Sequence, residues 1–257
     1  MTDKQERKTP NDRFLDVHHH ILYGLDDGPE NEAEMDRMLE AASEDGTGLI
    51  FATPHIFPGK RPFSMADYQR TLEKANVYCR RKRLPLKVLG GAEICFTDAA
   101  VRLLDEGKIP TMNGTRFVLT EWSPHEGTEE IVRGIGTLCG AGYIPIIAHV
   151  ERLRNLKGKW KTIEDICSRY DVRIQMDCEA LLQGMKSFFP SFAQQALNRR
   201  MIDYVASDAH NVGERRSCMR QAHEVIARKW GNEYAEQLMI GNAEELLGRE
   251  WCKHDIG

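Results

Sequence analysis

A histidine-rich stretch near the start of this 257-residue chain has the types and spacing of residues that bind metal. The apolar residues at 14–17 predict a β-strand, and three histidines follow it at 18–20. In an extended chain, residues i and i+2 point to the same side. His18 and His20 therefore aim two imidazoles at one point, while His19 faces away. Taken alone, the stretch could also be a histidine-rich loop without a metal.

Further imidazoles and carboxylates stand where other apolar segments end. Together with the first pair they make five histidines and four acids: His18, His20, Asp27, His55, Glu93, Glu121, His149, Asp208 and His210. Mixed nitrogen and oxygen donors suit Mn²⁺, Zn²⁺ or Fe²⁺ better than Ca²⁺. One such residue alone is commonly a core, loop or capping residue. Their recurrence favours a shared centre, large enough for three divalent ions if one carboxylate bridges.

The elements that must position these residues alternate along the chain. Apolar, β-rich segments predict seven strands, at 14–17, 49–53, 87–89, 117–120, 144–148, 172–176 and 204–206. Helical patterns occur at 30–45, 64–83, from 128, from 162, at 191–200, 216–230 and 243–247. Strands that alternate with helices predict right-handed βαβ units and a parallel sheet.

The candidate ligands decide between an open sheet and a closed barrel. In a closed parallel barrel the carboxyl ends of all strands meet at one mouth, where active sites are built. In an open sheet the outer strand ends would lie too far apart to share a site. We therefore predict an α/β fold with a distorted seven-stranded (β/α)7 TIM-like barrel. Residues 1–13 are predicted to form a flexible extension, and residues 14–257 a single domain.

The composition argues against several classes of protein. No apolar run reaches the 18 residues of a membrane span, and the N-terminus lacks the apolar core of a signal peptide. We expect no membrane insertion and a cytoplasmic location. The net charge of −4 gives no reason to expect nucleic-acid binding. Seven cysteines without C-x-x-C spacing fit reduced thiols.

Two other segments could carry chemistry but have simpler explanations. Residues 167–173 match Cys-x5-Arg, the minimal signature of cysteine-dependent tyrosine phosphatases. That chemistry needs backbone N–H groups wrapped around the phosphate, which usually requires glycine, and the five intervening residues include none. We expect Cys167 to be a helix core residue. Phe188 and Phe189 could stack on a substrate ring, but packing against the barrel rim is the preferred expectation.

Seven short motifs occur in order between residues 14 and 247: DVHHH at 16–20, DDG at 26–28, ATPH at 52–55, GAEI at 91–94, EW at 121–122, IAHVER at 147–152 and ASDAHN at 206–211. Together they resemble the motifs of the PHP superfamily, and more narrowly those of its bacterial, capsule-type, manganese-dependent protein tyrosine phosphatases. This resemblance implies the PHP fold and hydrolysis of phosphotyrosine by a metal-activated hydroxide. It also implies a partner, the phosphorylated tail of a bacterial tyrosine kinase that controls capsule or exopolysaccharide export.

The resemblance further implies how the ligands divide among three ions. The first ion would be held by His18, His20, Glu93 and Asp208, the second by Glu93, Glu121 and His149, and the third by Asp27, His55 and His210. Glu93 would bridge the first two. Arg152 and Arg215 would bind the phosphate. The ions are expected to be Mn²⁺, with Fe²⁺, Zn²⁺ or Mg²⁺ as alternatives. The chain departs from the family pattern in its N-terminal extension and in His19, where a small polar residue is usual.

Two other functions stay open. The chain could be a PHP phosphatase of a small metabolite such as histidinol phosphate, although Asp27 and Glu121 stand where such relatives often have other residues. It could also be a non-catalytic barrel that binds a kinase, although the complete ligand set argues against this. The sequence identifies no general acid.

Overall fold

The fold is known from a computed structural model, which describes residues 13–248. The predicted flexible extension, residues 1–13, lies outside the described residues apart from Arg13. The predicted domain, residues 14–257, is described as far as residue 248.

Within residues 13–248, nine strands, all paired in parallel, form two sheets. The smaller sheet has the order β1-β2-β4, and the larger has the order β3-β5-β6-β7-β8-β9. The strands are β1 Phe14–His19, β2 Thr47–Ala52, β3 His55–Ile56, β4 Lys87–Gly90, β5 Glu93–Cys95, β6 Phe117–Glu121, β7 Ile144–Ile147, β8 Arg173–Asp177 and β9 Tyr204–Ala206. A strand is present at each of the seven predicted places. The structure has two sheets where the prediction has one seven-stranded sheet. Two breaks divide the strands into a sheet of three and a sheet of six.

The two breaks lie between β2 and β3 and between β4 and β5. Pro54 follows β2 and has no N–H to donate to a ladder. A Cβ on Gly91, in the second break, would lie 2.8 Å from the Met112 Sδ, so only glycine fits without movement. After the breaks the chain pairs again, with His55 in register with Glu93. Each break thus delivers a candidate ligand as the first residue of the next strand.

Hydrogen bonds also join β1 to the chain just beyond β9. The N–H of His20 donates to the carbonyl of Ala209 at 2.9 Å, and the N–H of Asp208 donates to the carbonyl of His18 at 2.9 Å. An isolated parallel bridge pairs His19 with Ala209. The first strand of the smaller sheet therefore lies beside the end of the larger one.

Helices connect the strands, and several follow the predicted boundaries closely. They are α1 Glu32–Glu44, α2 Met65–Lys82, α3 Ala100–Asp105, α4 Thr128–Gly140, α5 Trp160–Arg169, α6 Cys178–Gly184, α7 Phe192–Asn198, α8 Met219–Trp230 and α9 Asn232–Glu236. A π-helical turn at Gln237–Gly241 and a 3-10 segment at Asn242–Leu247 follow. Helices α3, α6 and α9 are short and were not predicted. α8 begins three residues later than predicted. No helix of the described part is long and apolar enough to cross a membrane.

Local sequence signals explain where the longer helices begin and which side they bury. The Ser64 hydroxyl caps α2 by accepting from the N–H of Asp67 at 3.2 Å, as the capping pattern predicts. α1 buries its predicted apolar side, which includes Met35 and Leu39. α4 likewise buries Ile131 and Ile135. Full burial of such a side chain stabilises the fold by about 1.5–3 kcal/mol.

Candidate metal centre

The predicted ligands lie together at the carboxyl-terminal side of the strands. Eight of the nine fall into three groups, each with ligand atoms within 4.8 Å of one another: His18, His20, Glu93 and Asp208; His20, Asp27, His55 and His210; and His55, Glu93 and Glu121. The ninth, His149, has its Nε2 2.6 Å from Glu93 Oε1. The convergence predicted from the strand ends is therefore present.

The innermost group is the set predicted for the first ion. The Nε2 atoms of His18 and His20 are 3.1 Å apart. Glu93 Oε2 lies 3.1 and 3.2 Å from these two nitrogens, and Asp208 Oδ1 lies 3.3 Å from each. Three of the four side chains are fully buried and Asp208 is 3% exposed. Two imidazoles and two carboxylates that converge out of water are a donor set able to hold a cation.

The outer groups differ in composition from the predicted sets. His55 Nδ1 lies 3.0 Å from Glu93 Oε2 and 3.1 Å from Glu121 Oε1. His149 Nε2, predicted to join these two acids, is 4.0 Å from Glu121 Oε2. The other nitrogen of His55 lies 3.6 Å from Asp27 Oδ1. His55 therefore belongs both to the group around the predicted second ion and to the group around the predicted third ion. His20 also belongs to the group around the third.

Two buried partners orient the inner histidines, and neither was predicted. His20 Nδ1 lies 2.6 Å from Asp26 Oδ2. His18 Nδ1 lies 3.2 Å from Gln175 Oε1, which also accepts from the N–H of His149 at 2.6 Å. With Nδ1 engaged, each ring turns Nε2 toward the centre, as ligand-orienting partners do in metal sites. The available signal was Gln175 itself, a polar residue inside the apolar segment 172–176.

The backbone at two candidate ligands adopts the left-handed region. His149 has φ 30° and Asp208 has φ 50°. Such conformations are uncommon outside glycine and cost free energy that surrounding structure must offset. Near Asp208, the buried Asp16 carboxylate accepts from both the N–H (3.0 Å) and the hydroxyl (2.5 Å) of Ser207. This contact ties β1 to the turn that carries Asp208.

The histidines and carboxylates of the inner group shift one another's pKa values in opposite directions. Burial disfavours charge on His18, but the carboxylates of Glu93 and Asp208 outweigh it and raise the pKa of this imidazole to about 9. Despite burial, the adjacent His18 and His149 hold the pKa of Glu93 well below its usual range. In the outer group, burial and the neighbouring His20 lower the pKa of His210 to about 4.

Some candidate donor atoms have no hydrogen-bond partner, which shows whether divalent ions would fit among them. His55 Nδ1, Glu93 Oε2 and His210 Nε2 are buried and lack a hydrogen-bond partner. All three face other donor atoms of the cluster. Buried polar atoms normally have partners, and cations held by the three groups would satisfy these atoms. The residues present therefore fit a centre of divalent ions.

The two predicted phosphate-binding arginines flank one carboxylate of this centre. Arg152 Nη2 contacts Asp208 Oδ2 and lies 2.6 Å from Asp177 Oδ2. Arg215 Nη2 lies 3.0 Å from Asp208 Oδ2, and its Nη1 lies 3.3 Å from Asp27 Oδ2. Their side chains are 43% and 37% exposed. Both guanidiniums thus reach from solvent to the edge of the inner group.

The cysteine motif lacks a phosphate-binding loop, but one expectation about it was wrong. Cys167 lies in α5 and is exposed, not a core residue. Surrounding protein atoms raise the pKa of its thiol to about 11, which opposes thiolate formation. Arg173 lies inside β8 and pairs with Glu245 at 2.9 Å. The expectation that Phe188 and Phe189 pack against the barrel rim was also wrong, since these residues are 94% and 74% exposed.

Comparison with known proteins agrees with this geometry. The family model described as capsular polysaccharide synthesis, CpsB/CapC, matches residues 14–248. The chain belongs to the CpsB/CapC family. Tyrosine-protein phosphatase CpsB of Streptococcus pneumoniae is 28% identical over 245 residues, which cover 91% of this chain and 98% of that protein.

Solved structures extend the comparison from sequence to fold. A chain from the crystal structures of YwqE from Bacillus subtilis and CpsB from Streptococcus pneumoniae, metal-dependent tyrosine phosphatases, matches with a TM-score of 0.82. It is 28% identical and covers 91% of this chain and 94% of its own length. Histidinol phosphate phosphatase from Lactococcus lactis matches with a TM-score of 0.57 at 12% identity, over 87% of this chain and 94% of that one. That second likeness concerns the fold alone.

Proposed function

We propose that this CpsB/CapC protein is a metal-dependent protein tyrosine phosphatase that acts on the phosphorylated tail of a bacterial tyrosine kinase controlling capsule or exopolysaccharide export. One observation carries the proposal. The buried group of His18, His20, Glu93 and Asp208 is flanked at Asp208 by two arginines that reach solvent. A cation site beside paired guanidiniums suits a phosphate ester. The names of the relatives support phosphotyrosine as that ester.

Three divalent ions, most simply Mn²⁺, are proposed for the centre. The first would be held by the inner group. Glu93 and Glu121 would hold the second with His149 or His55, and Asp27, His55 and His210 the third. When bound, such ions neutralise phosphoryl oxygens and lower the pKa of a coordinated water toward neutrality.

The chain's own residues then bind and orient the ester. The guanidinium of Arg is a planar fork that matches two phosphate oxygens, and Arg152 and Arg215 present two such forks beside Asp208. Asp26 and Gln175 hold the inner imidazoles with Nε2 toward the centre. A leaving phenolate, whose conjugate acid has a pKa of about 10, departs with less help than an alkoxide. No general acid is assigned.

We also propose a closed barrel for the fold around this centre. We infer that the two sheets make one distorted seven-stranded barrel within a single domain, residues 14–257, in which β2 with β3 and β4 with β5 each count as one interrupted strand. The hydrogen bonds between β1 and the residues after β9 support closure. A cytoplasmic location is proposed as well, since Cys79, Cys95, Cys139, Cys167, Cys178 and Cys218 are free thiols, a state that reducing compartments maintain.

Metal removal and matched esters test this function. Prolonged chelation is expected to abolish hydrolysis of a phosphotyrosine peptide, and added Mn²⁺ to restore it, with Mg²⁺ and Zn²⁺ compared in parallel. The measurement is kcat/KM on phosphotyrosine peptide, phosphoserine peptide and histidinol phosphate. Full activity in metal-free protein contradicts the mechanism. A preference of tenfold or more for histidinol phosphate contradicts the substrate and supports the metabolic alternative.

A further inference from the structure

A cavity of about 330 Å³ opens directly beside the metal centre. It shares two walls with that centre, Asp27 and His55. Phe57, Pro62 and Phe63, from the segment between β3 and α2, supply apolar lining. A volume near the lower end of the usual range for ligand sites, roughly 300–1,000 Å³, suits one small group.

Two phenylalanine rings, those of Phe57 and Phe63, line this cavity. The Phe57 ring is half-buried, and its centroid lies 5.8 Å from that of the His55 ring. The Arg61 guanidinium lies 4.8 Å from the Phe57 centroid, on the ring face. Phe63 packs against the buried Tyr68 with centroids 5.7 Å apart. Phe57 and Phe63 thus give the cavity aromatic lining, a surface on which another aromatic ring packs favourably.

The segment that carries these rings is held in a defined shape. The carbonyl of Phe57 accepts from the N–H of Lys60 at 2.9 Å and from that of Arg61 at 3.1 Å. The segment ends at the capped start of α2, where Ser64 accepts from the N–H of Asp67. A preorganised wall loses little entropy when a ligand binds.

We propose that this cavity, the aryl pocket of His55, Phe57, Pro62 and Phe63, binds the phenyl ring of the phosphotyrosine substrate. The proposal rests on the proposed function, because it places the ring next to an ester held at the metal centre. It assigns aryl selectivity to Phe57 and Phe63, and none to Phe188 and Phe189. That second pair lies in the loop between α6 and α7 and contacts itself edge to face at 5.2 Å.

The test compares binding of two phosphonates that are not hydrolysed. Calorimetric titration of the manganese-loaded protein would give the ratio of Kd values for methylphosphonate and phenylphosphonate. We expect wild type to prefer phenylphosphonate. Phe57→Ala and Phe63→Ala are expected to reduce that preference by roughly three- to tenfold, while methylphosphonate binding changes less than twofold. Phe189→Ala, an exposed aromatic elsewhere, is the matched control and should leave both Kd values unchanged.

Several outcomes overturn the aryl pocket. They are equal affinity of wild type for the two phosphonates, an unchanged ratio in both pocket variants, or an equal loss in Phe189→Ala. Manganese content is measured in every variant, and Phe63→Ala, which does not neighbour a ligand in sequence, decides the result if Phe57→Ala loses metal. Failure of the proposed function has a separate signature, since wild type would then not hydrolyse phosphotyrosine whatever it binds.

Discussion

The inner and outer halves of the metal centre are built from the same residue types but sit in different surroundings. In the inner half, the side chains of His18, His20 and Glu93 are fully buried. In the outer half, formed by Asp27, His55, Glu121 and His210, Asp27 is 59% exposed and His55 19%, while His210 is 1% exposed. The inner histidines also have buried partners on Nδ1, whereas the outer half borders the aryl pocket. The contrast indicates that the inner half retains metal, whereas Asp27 and His55 of the outer half lie beside solvent and the aryl pocket.

Burial explains why the two halves should respond differently to change. Removal of one member of a buried charged group leaves its partners uncompensated, which typically costs several kcal/mol. A charge that remains in contact with water is screened and contributes much less. Substitutions can therefore show whether the division holds.

The largest effect is expected for Glu93, which contacts His18, His20, His55 and His149. Glu93→Ala should lose more metal than His55→Ala and lower kcat at least several hundredfold, or roughly 3–4 kcal/mol of transition-state stabilisation. Elemental analysis and steady-state kinetics measure both. Equal metal content in the two variants and wild type would remove the bridging role of Glu93.

Metal affinity should depend on pH through the inner half. The pKa of His18 is raised to about 9, so below that pH a binding ion must displace its proton. The pKa of His210 is lowered to about 4, so this outer ligand is already neutral at pH 7. Apparent affinity for Mn²⁺ should rise between pH 6 and pH 9, by up to about tenfold per unit for one displaced proton. Chelator competition measures the slope, and a flat profile contradicts the assignment.

Asp26→Asn tests orientation within the inner half. The carboxylate lies 2.6 Å from His20 Nδ1, and its loss should weaken Mn²⁺ binding by roughly 10–100-fold without removing a ligand. Metal affinity measured by chelator competition is the readout. Asp203→Asn is the control, because Asp203 caps the start of β8 through the N–H of Ile174. Equal losses in the two variants would indicate general destabilisation.

Arg215 lies where the two halves meet, because it contacts Asp208 of the inner half and Asp27 of the outer half. Arg215→Ala should reduce kcat/KM about tenfold, or roughly 1.4 kcal/mol, on every phosphate ester alike, because the guanidinium would bind phosphate and not the leaving group. Metal content should stay at the wild-type level. A loss confined to aryl esters would instead place Arg215 at the leaving group.

The smallest effect is expected outside both halves. Cys167→Ser should retain most activity, because Cys167 lies on α5, outside the ligand groups, and burial of its sulfur raises the thiol pKa to about 11. Rapid quench should trap no phosphocysteine. Inactivation of folded, metal-loaded Cys167→Ser would revive the cysteine mechanism.

The candidate residues, and roughly where each one lies, can be predicted from the amino-acid sequence alone. Strand ends are visible in the chain because apolar runs stop at polar residues, and parallel strands bring those ends to one side. His18 and His20 face the same point, as the period of an extended chain predicts. The Ser64 cap and the buried side of α1 follow from equally local rules.

How the candidate ligands are oriented and divided among the groups depends on contacts between distant segments of the folded chain. Gln175 orients His18 across 157 residues, and no local pattern specifies that contact. Asp26 and Asp27 are adjacent aspartates in one loop. The loop places the Asp26 carboxylate 2.6 Å from His20 Nδ1, whereas the Asp27 side chain stays 59% exposed. The break at Pro54 puts His55 between two groups of ligands. Such assignments depend on distances between distant segments, which emerge only when the sheets and their loops pack together.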